Sequence, residues 1–92
     1  MGKIYKEQIG VNIQLDTRFD LTGFSVAKIL YKKPDGEEGF WIASVDGTII
    51  SYTTLEDDLS LHGTWYLQAY VEISGAVYFG ETSIMNVFNQ FK

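Results

Sequence analysis

The sequence predicts an all-β protein, an antiparallel sandwich of about seven strands forming one domain over residues 1–92. Apolar and polar residues alternate with the period of two that is typical of half-buried strands. Glycine and Asp-Gly turn signals separate these stretches, while the chain has one proline and no stretch with convincing helical periodicity. At 92 residues the chain matches the size of one two-sheet domain.

The clearest strand lies in residues 63–73, which we take as a central strand with one buried face. Its apolar positions are Trp65, Leu67, Ala69, Val71 and Ile73, and the alternate positions are Tyr66, Gln68, Tyr70 and Glu72. Successive side chains of a strand point to opposite faces, so the first set is expected in the core and the second outside it.

The sequence pattern of residues 3–15 predicts an edge strand that is interrupted by a kink. Residues 3–6 are extended, Ile9-Gly10 makes a kink, and Val11, Ile13 and Leu15 then alternate inward. Residues 16–23 read as a polar connection in which Leu21 closes one end of the core.

Residues 24–33 predict a strand whose inward face is set by its lysines. Lys28 and Lys32 share one face, and two lysines do not both point into a core. Ala27, Ile29 and Tyr31 are therefore expected inward, with Val26 and Leu30 partly exposed on the lysine face.

Two hairpins follow from turn residues. Pro34-Asp35-Gly36 predicts a turn, with residues 37–39 extending the loop, and Asp46-Gly47 predicts a type I′ turn. The strand between them, residues 40–45, should place Trp41, Ala43 and Val45 on one face.

The remaining strands complete the sandwich. In residues 48–54 the expected inward pair is Ile50 and Tyr52, and residues 55–62 should cross from one sheet to the other. The last strand spans about residues 77–88, and its two faces carry Ser83, Met85 and Val87 on one side and Tyr78, Ile84 and Phe88 on the other. Trp41 and Trp65 are expected to be buried, close together, and packed across the two sheets.

Composition and charge disfavour several functions. A formal charge of -5 argues against binding nucleic acid, because that affinity comes from clustered cations. We expect no membrane segment, since no apolar run approaches the roughly 20 residues that span a bilayer. Lys28, Lys32 and Lys33 form one cluster, which either keeps a strand edge and turn in solvent or binds an anion.

The residues needed for catalysis are scarce. The chain has no cysteine and a single histidine, His62, beside a turn glycine. Glu56, Asp57 and Asp58 form either a solvated acidic loop or a loose calcium site, although their spacing matches no EF-hand. We therefore predict no enzyme, no catalytic or metal-ligating residues and no cofactor.

The candidate functional feature is an aromatic surface formed by Tyr66, Tyr70, Tyr78 and Phe79. Tyr66 and Tyr70 alternate with core positions on a strand that should neighbour the one carrying Tyr78 and Phe79, and Tyr66, Tyr70 and Tyr78 are expected on one outer face. Aromatic side chains are enriched at the centres of protein contacts, and they also stack against sugars. A protein partner is favoured over a carbohydrate, because no set of Asn, Asp and Arg is visibly arranged to bind hydroxyls.

Two sets of residues resemble known proteins, one indicating the fold family and the other the biological setting of the protein. The run from Asp58 to Trp65 resembles the approach to strand F of immunoglobulin-like sandwiches, which implies an immunoglobulin-like antiparallel β-sandwich. Leu21-Thr22-Gly23, Lys33-Pro34-Asp35-Gly36 and Gly63-Thr64-Trp65 occur in an order similar to the N-terminal domain of phage baseplate upper proteins and to small immunoglobulin-like structural proteins of tailed phages. Because the sequence ends at Lys92, we expect none of the downstream fibre or receptor-contacting region of a baseplate subunit, which leaves a free-standing head or tail accessory protein as the alternative to a baseplate role.

The phage resemblance implies a non-enzymatic structural or accessory protein of a phage or prophage particle. Its expected partners are other virion or prophage proteins. Further copies of the chain are a separate expectation, which follows from the outward aromatic rings, and neither nucleic acid nor membrane is expected from the charge and hydropathy. Its expected location is the virion or the cytoplasm of the bacterium that carries the prophage. The alternative is a carbohydrate-binding or cell-surface adhesion module.

Overall fold

The computed structural model describes residues 3–18 and 20–89, which form an all-β structure of two sheets. The strands are β1 (Ile4–Tyr5), β2 (Asn12–Asp16), β3 (Phe24–Lys32), β4 (Glu38–Ile42), β5 (Ser44–Asp46), β6 (Ile49–Thr53), β7 (Gly63–Ile73), β8 (Ala76–Phe79) and β9 (Ser83–Phe88). Within the described residues, no helix has the length and apolar character that crossing a membrane would require.

The large sheet has the order β1-β9-β7-β3-β4, with β8 also pairing with β7, and the small sheet has the order β2-β6-β5. All pairs are antiparallel except β1 with β9, which run parallel. β7 lies at the centre of the large sheet between β3 and β9, as the alternation in residues 63–73 predicts.

The predicted inward faces are confirmed in most strands. Trp65, Leu67, Ala69 and Val71 are all buried on β7, and β3 buries Ala27 and Ile29 with Tyr31 packed against them. The core also takes Ile13, Leu21, Ile50, Leu59, Met85 and Val87. Val26 and Leu30 are half-buried on the lysine face of β3, as expected.

An aromatic cluster occupies one part of this core. The rings of Trp41 and Trp65 are both buried and their centroids lie 6.1 Å apart. The prediction that they pack across the two sheets is wrong, because β4 and β7 belong to the same sheet and Tyr31 of β3 contacts both rings. The contact between sheets is made by Tyr52 of β6, which stacks on Trp41 at 4.9 Å with an interplanar angle of 7°.

Gly39 gives Tyr31 its room beside this cluster. A Cβ atom built on Gly39 would lie 2.5 Å from the Tyr31 hydroxyl oxygen and 2.7 Å from Cζ, which is closer than real Cβ contacts. The absence of a side chain on β4 at this point therefore lets the Tyr31 ring reach Trp41.

Both hairpins form, but their turns differ from the predictions. Gly36 N donates to Lys33 O at 2.9 Å around Pro34-Asp35, and pairing resumes at Glu38, so residues 38 and 39 belong to the strand. In the second hairpin Asp46 pairs with Ile49, which makes Gly47-Thr48 the loop. Only Gly47 of these residues has positive φ, +65°, and this is the φ pattern of a type II′ turn instead of type I′.

Nine strands are present in the described residues where about seven are predicted, because three predicted strands are divided, two of them by a change of sheet. The N-terminal strand places residues 4–5 in the large sheet and residues 12–16 in the small one. Residues 40–45 likewise divide at Ala43, with β4 in the large sheet and β5 in the small sheet.

The last predicted strand also divides, at a bulge. Tyr70 pairs with Phe79 and Leu67 pairs with Ser83, so three residues of the last strand, 80–82, oppose two residues of β7. One extra residue exchanges the faces on either side of it. Ser83, Met85 and Val87 therefore share one face as predicted, and that face is the inner one, but the face of residues 76–79 is reversed relative to a continuous strand.

Candidate protein-interaction face

The surface of the large sheet that points away from the small sheet is called here the outer face. The strand register places on it Val26, Lys28, Leu30 and Lys32 of β3; Glu38, Phe40 and Ile42 of β4; Tyr66, Gln68, Tyr70 and Glu72 of β7; Val77 and Phe79 of β8; and Ile84 of β9. Because directly paired residues project from the same side of a sheet, these positions form one surface that crosses four neighbouring strand positions.

The outer face is rich in exposed apolar side chains. Six of them, each between 46% and 65% exposed, are Phe40, Ile42, Tyr66, Val77, Phe79 and Ile84. Val26, Leu30 and Tyr70 are half-buried between them. Single exposed apolar residues are ordinary, but a contiguous patch of this kind marks an interaction site.

Lys28 lies near the centre of the outer face and is held by aromatic rings. Its Nζ lies 4.2 Å from the centroid of Phe40 and 5.4 Å from that of Tyr70, which are cation–π distances. Its strand, β3, is interior to the sheet, so the prediction that these lysines protect a strand edge is wrong for Lys28 and Lys32. Lys33 follows the strand and pairs with Glu37 at 3.1 Å.

Tyr70 is fixed in position by its neighbours. Its ring meets Phe79 edge-on, with centroids 5.4 Å apart, and its hydroxyl donates to Glu72 Oε2 at 2.7 Å. That hydrogen bond raises the pKa of the Tyr70 hydroxyl above its ordinary value, with burial and the Glu72 charge acting in the same direction. The Tyr70 ring is therefore ordered before any partner arrives.

A shallow hollow of about 510 Å³ lies beside Tyr66 at one end of the outer face. Its lining includes Lys32, Glu38, Gln68 and Thr82. The Gln68 amide is oriented by the hydrogen bond that Nε2 donates to Gly80 O at 2.9 Å. The hollow thus combines a half-exposed aromatic ring with a cation, a carboxylate and an amide.

Of the four predicted interaction residues, Tyr66, Tyr70 and Phe79 lie on the outer face and Tyr78 does not. Tyr78 pairs with Val71, which is buried on the inner side of β7, so its ring projects from the opposite side of the sheet. It is nevertheless 45% exposed. The placement of Tyr66, Tyr70 and Tyr78 on one face is therefore wrong, because the bulge at residues 80–82 reverses the face of β8.

Sequence reasoning missed the apolar residues contributed by β4. Phe40 and Ile42 flank Trp41, and the inward position of Trp41 already required both to point outward. Ile84 shares its predicted face with Tyr78 and Phe88, and its pairing with Tyr66 adds it to the outer face as a further apolar residue that the candidate surface lacked. The alternation of apolar and polar residues in each strand indicates which of these side chains point outward. It does not indicate which strands lie beside β4, so the sequence could not show that these side chains form one surface.

The outer face is electrically balanced although the chain has a formal charge of -5. Its two cations, Lys28 and Lys32, offset its two carboxylates, Glu38 and Glu72. The excess negative charge of the protein therefore lies elsewhere. A partner approaching this surface does not meet a uniform acidic field.

The other residues considered for chemistry do not assemble a site in the described part of the chain. His62 is exposed, and Asp58 accepts hydrogen bonds from the Tyr52 hydroxyl at 2.6 Å and from Leu55 N at 2.7 Å. No group of three or more His, Asp or Glu side chains that could hold a metal ion occurs in residues 3–18 and 20–89.

Comparison of the chain with protein-family models, with curated proteins and with solved structures gave no match.

Proposed function

We propose that this protein is a non-enzymatic structural or accessory component of a phage or prophage particle, and that it acts through protein contacts made by the outer face. The observation that carries this proposal is the set of six apolar side chains left at 46% to 65% exposure on one sheet surface. Covering them would remove apolar area worth about 25 cal/mol per Å² before the cost of association is subtracted.

The immunoglobulin-like assignment belongs to the same proposal. Its support is the strand order, since variable-type immunoglobulin domains place strands G, F, C and C′ in one sheet and B, E and D in the other. β9-β7-β3-β4 and β2-β6-β5 follow that order. The phage context rests on the resemblance of the turn motifs to immunoglobulin-like proteins of tailed phages, and the proposed location, the virion or the bacterial cytoplasm, rests on the same resemblance.

A matched pair of variants tests this role in particles purified from a host that carries the gene. Ile42 lies on the outer face at 65% exposure, and Leu55 lies off both sheets at 64% exposure. Ile42→Glu should prevent the chain from co-purifying with virions, whereas Leu55→Glu should leave its incorporation unchanged. Absence of the unmodified chain from purified particles, or equal incorporation of both variants, would contradict the proposal.

The hollow beside Tyr66 supports carbohydrate binding as a second candidate function. A half-exposed ring together with Lys32, Glu38 and Gln68 provides a stacking surface and polar groups that could bind hydroxyls. Glycan-array binding that is lost on Tyr66→Ser but retained in Ile42→Glu would favour this function over a protein contact. No glycan bound by the unmodified protein would exclude it.

A further inference from the structure

We infer that the occupant of the outer face is a second copy of this chain, and that the two copies form a closed, two-fold symmetric dimer. This inference rests on the proposed role of the outer face in protein contacts and names its partner. One self-complementary surface is sufficient for such a dimer, because both copies use the same residues.

The order of charges along β3 and β7 fits a two-fold arrangement. If the axis lies in the interface, parallel to the strands and between β3 and β7, each residue faces its own cross-strand neighbour from the second copy. Lys28 then faces Tyr70, and Lys32 faces Tyr66, since these residues are paired in the sheet register. Each lysine thus meets an aromatic ring, which is a favourable cation–π arrangement.

An axis perpendicular to the strands gives the same result when it passes midway between Lys28 and Leu30, whereas an axis through Leu30 would place Lys28 over Lys32 and is disfavoured. With the axis in the midway position, Lys32 of one copy lies over Val26 of the other copy, and Glu72 of one copy lies over Tyr66 of the other. In neither of the two favoured arrangements does a lysine face a lysine or a glutamate face a glutamate. A juxtaposition of like charges would cost several kcal/mol in an interface, so its absence favours self-association of a chain that is acidic overall.

The size of the outer face is adequate for a reversible dimer. Four strand positions at about 4.8 Å spacing give a width of about 19 Å, and residues 64–72 at about 3.3 Å per residue give a length of about 30 Å. The projected area is then about 570 Å² per copy, close to the roughly 600 Å² per partner at the lower end of specific interfaces. We therefore expect a dimer that dissociates on dilution.

Sedimentation of the full chain across a concentration series tests the dimer. The unmodified protein should be dimeric at high micromolar concentration and should become monomeric on dilution. Ile42→Glu should weaken the dimer about 100-fold, since each site loses about tenfold and a two-fold dimer carries the substitution twice. Leu55→Glu, which adds the same charge at a position of similar exposure away from the sheets, should dimerise like the unmodified protein.

A second variant and a fold control keep the test decisive. Circular dichroism and thermal unfolding establish that each variant is folded, and Ile84→Glu, also 65% exposed on the outer face, replaces Ile42→Glu if the latter does not fold. A strict monomer at high micromolar concentration, a trimer or larger assembly, or a dimer unaffected by outer-face charges would each overturn the inference.

The outcomes separate this inference from the proposed function. A monomeric protein whose Ile42→Glu variant is still lost from virions would refute the second copy and retain the outer face as a virion contact. A dimer that is broken by Ile42→Glu, in a chain that is absent from virions, would support the second copy as the occupant of the outer face and refute the virion role.

Discussion

Trp65 provides the most direct test of how the core stabilises the protein. Its side chain is fully buried, and its indole Nε1 donates to Leu61 O at 3.1 Å. Its ring also lies within contact range of Trp41 and Tyr31, with centroid distances of 6.1 Å and 5.6 Å. Trp65 therefore joins the cluster of the large sheet to the loop that enters β7.

Two substitutions of Trp65 separate the contributions of packing and hydrogen bonding. Trp65→Ala should lower the free energy of unfolding by about 3 to 5 kcal/mol, because it removes the ring and leaves a cavity. Trp65→Phe keeps an aromatic ring but leaves the half-buried Leu61 carbonyl without its donor, which costs about 1 to 3 kcal/mol. Since small domains have stabilities of about 5 to 15 kcal/mol, the alanine variant should be marginally stable.

Urea unfolding measures both effects, with far-ultraviolet circular dichroism as one probe and the fluorescence of the remaining Trp41 as the other. In the unmodified protein both tryptophans should have blue-shifted emission and resist quenching by iodide or acrylamide. Leu55→Ala, at an exposed position, should change stability by less than about 0.5 kcal/mol and serves as the control. A Trp65→Ala loss below about 1 kcal/mol, or rapid quenching of both tryptophans, would refute the burial argument.

Two further predictions concern the second hairpin and the partly buried phenol of Tyr52. Gly47→Val should destabilise the protein by about 1 kcal/mol or more, because a β-branched residue is strained at φ +65°, and an unchanged melting temperature would contradict the turn assignment. Burial, aided by the hydrogen bond to Asp58 and by nearby Tyr31, raises the pKa of Tyr52 from 10.0 to about 12. The folded state thus holds this proton more tightly, so its stabilising effect is complete below about pH 10 and is lost as the pH rises towards about 12. Tyr52→Phe should flatten the loss of stability over that pH range, and identical alkaline profiles for the two proteins would argue against the raised pKa.

The inward faces could be predicted from the sequence because they depend on a local rule. Alternation with period two fixes which side of a strand is apolar, and the lysines of β3 settle the choice where both sides carry apolar residues. Ala27 and Ile29 are buried on β3 for this reason, while Lys28 projects from the other side.

Membership of a particular sheet could not be predicted in the same way. Alternation shows that Trp41 and Trp65 point inward, but it contains nothing about which strands lie side by side. That arrangement depends on chain crossings such as the one at Ala43, where a predicted single strand leaves the large sheet and joins the small one. The partner of Trp41 across the core is consequently Tyr52, which the sequence identified only as an inward residue.

The composition of the candidate site depends on one extra residue in the last strand. Gly80 N donates to Ala69 O at 3.0 Å, and Gly80 O accepts from Gln68 Nε2 at 2.9 Å, so both polar groups of Gly80 are used at the bulge. A Cβ atom on Gly80 would lie 3.1 Å from Ala69 Cβ, a close approach that glycine permits. With the strand faces exchanged at this point, Phe79 projects outward to meet Tyr70, and Tyr78 projects to the other side. A continuous strand in register with β9 would place Tyr78 outward instead, so the bulge determines which aromatic ring completes the outer face.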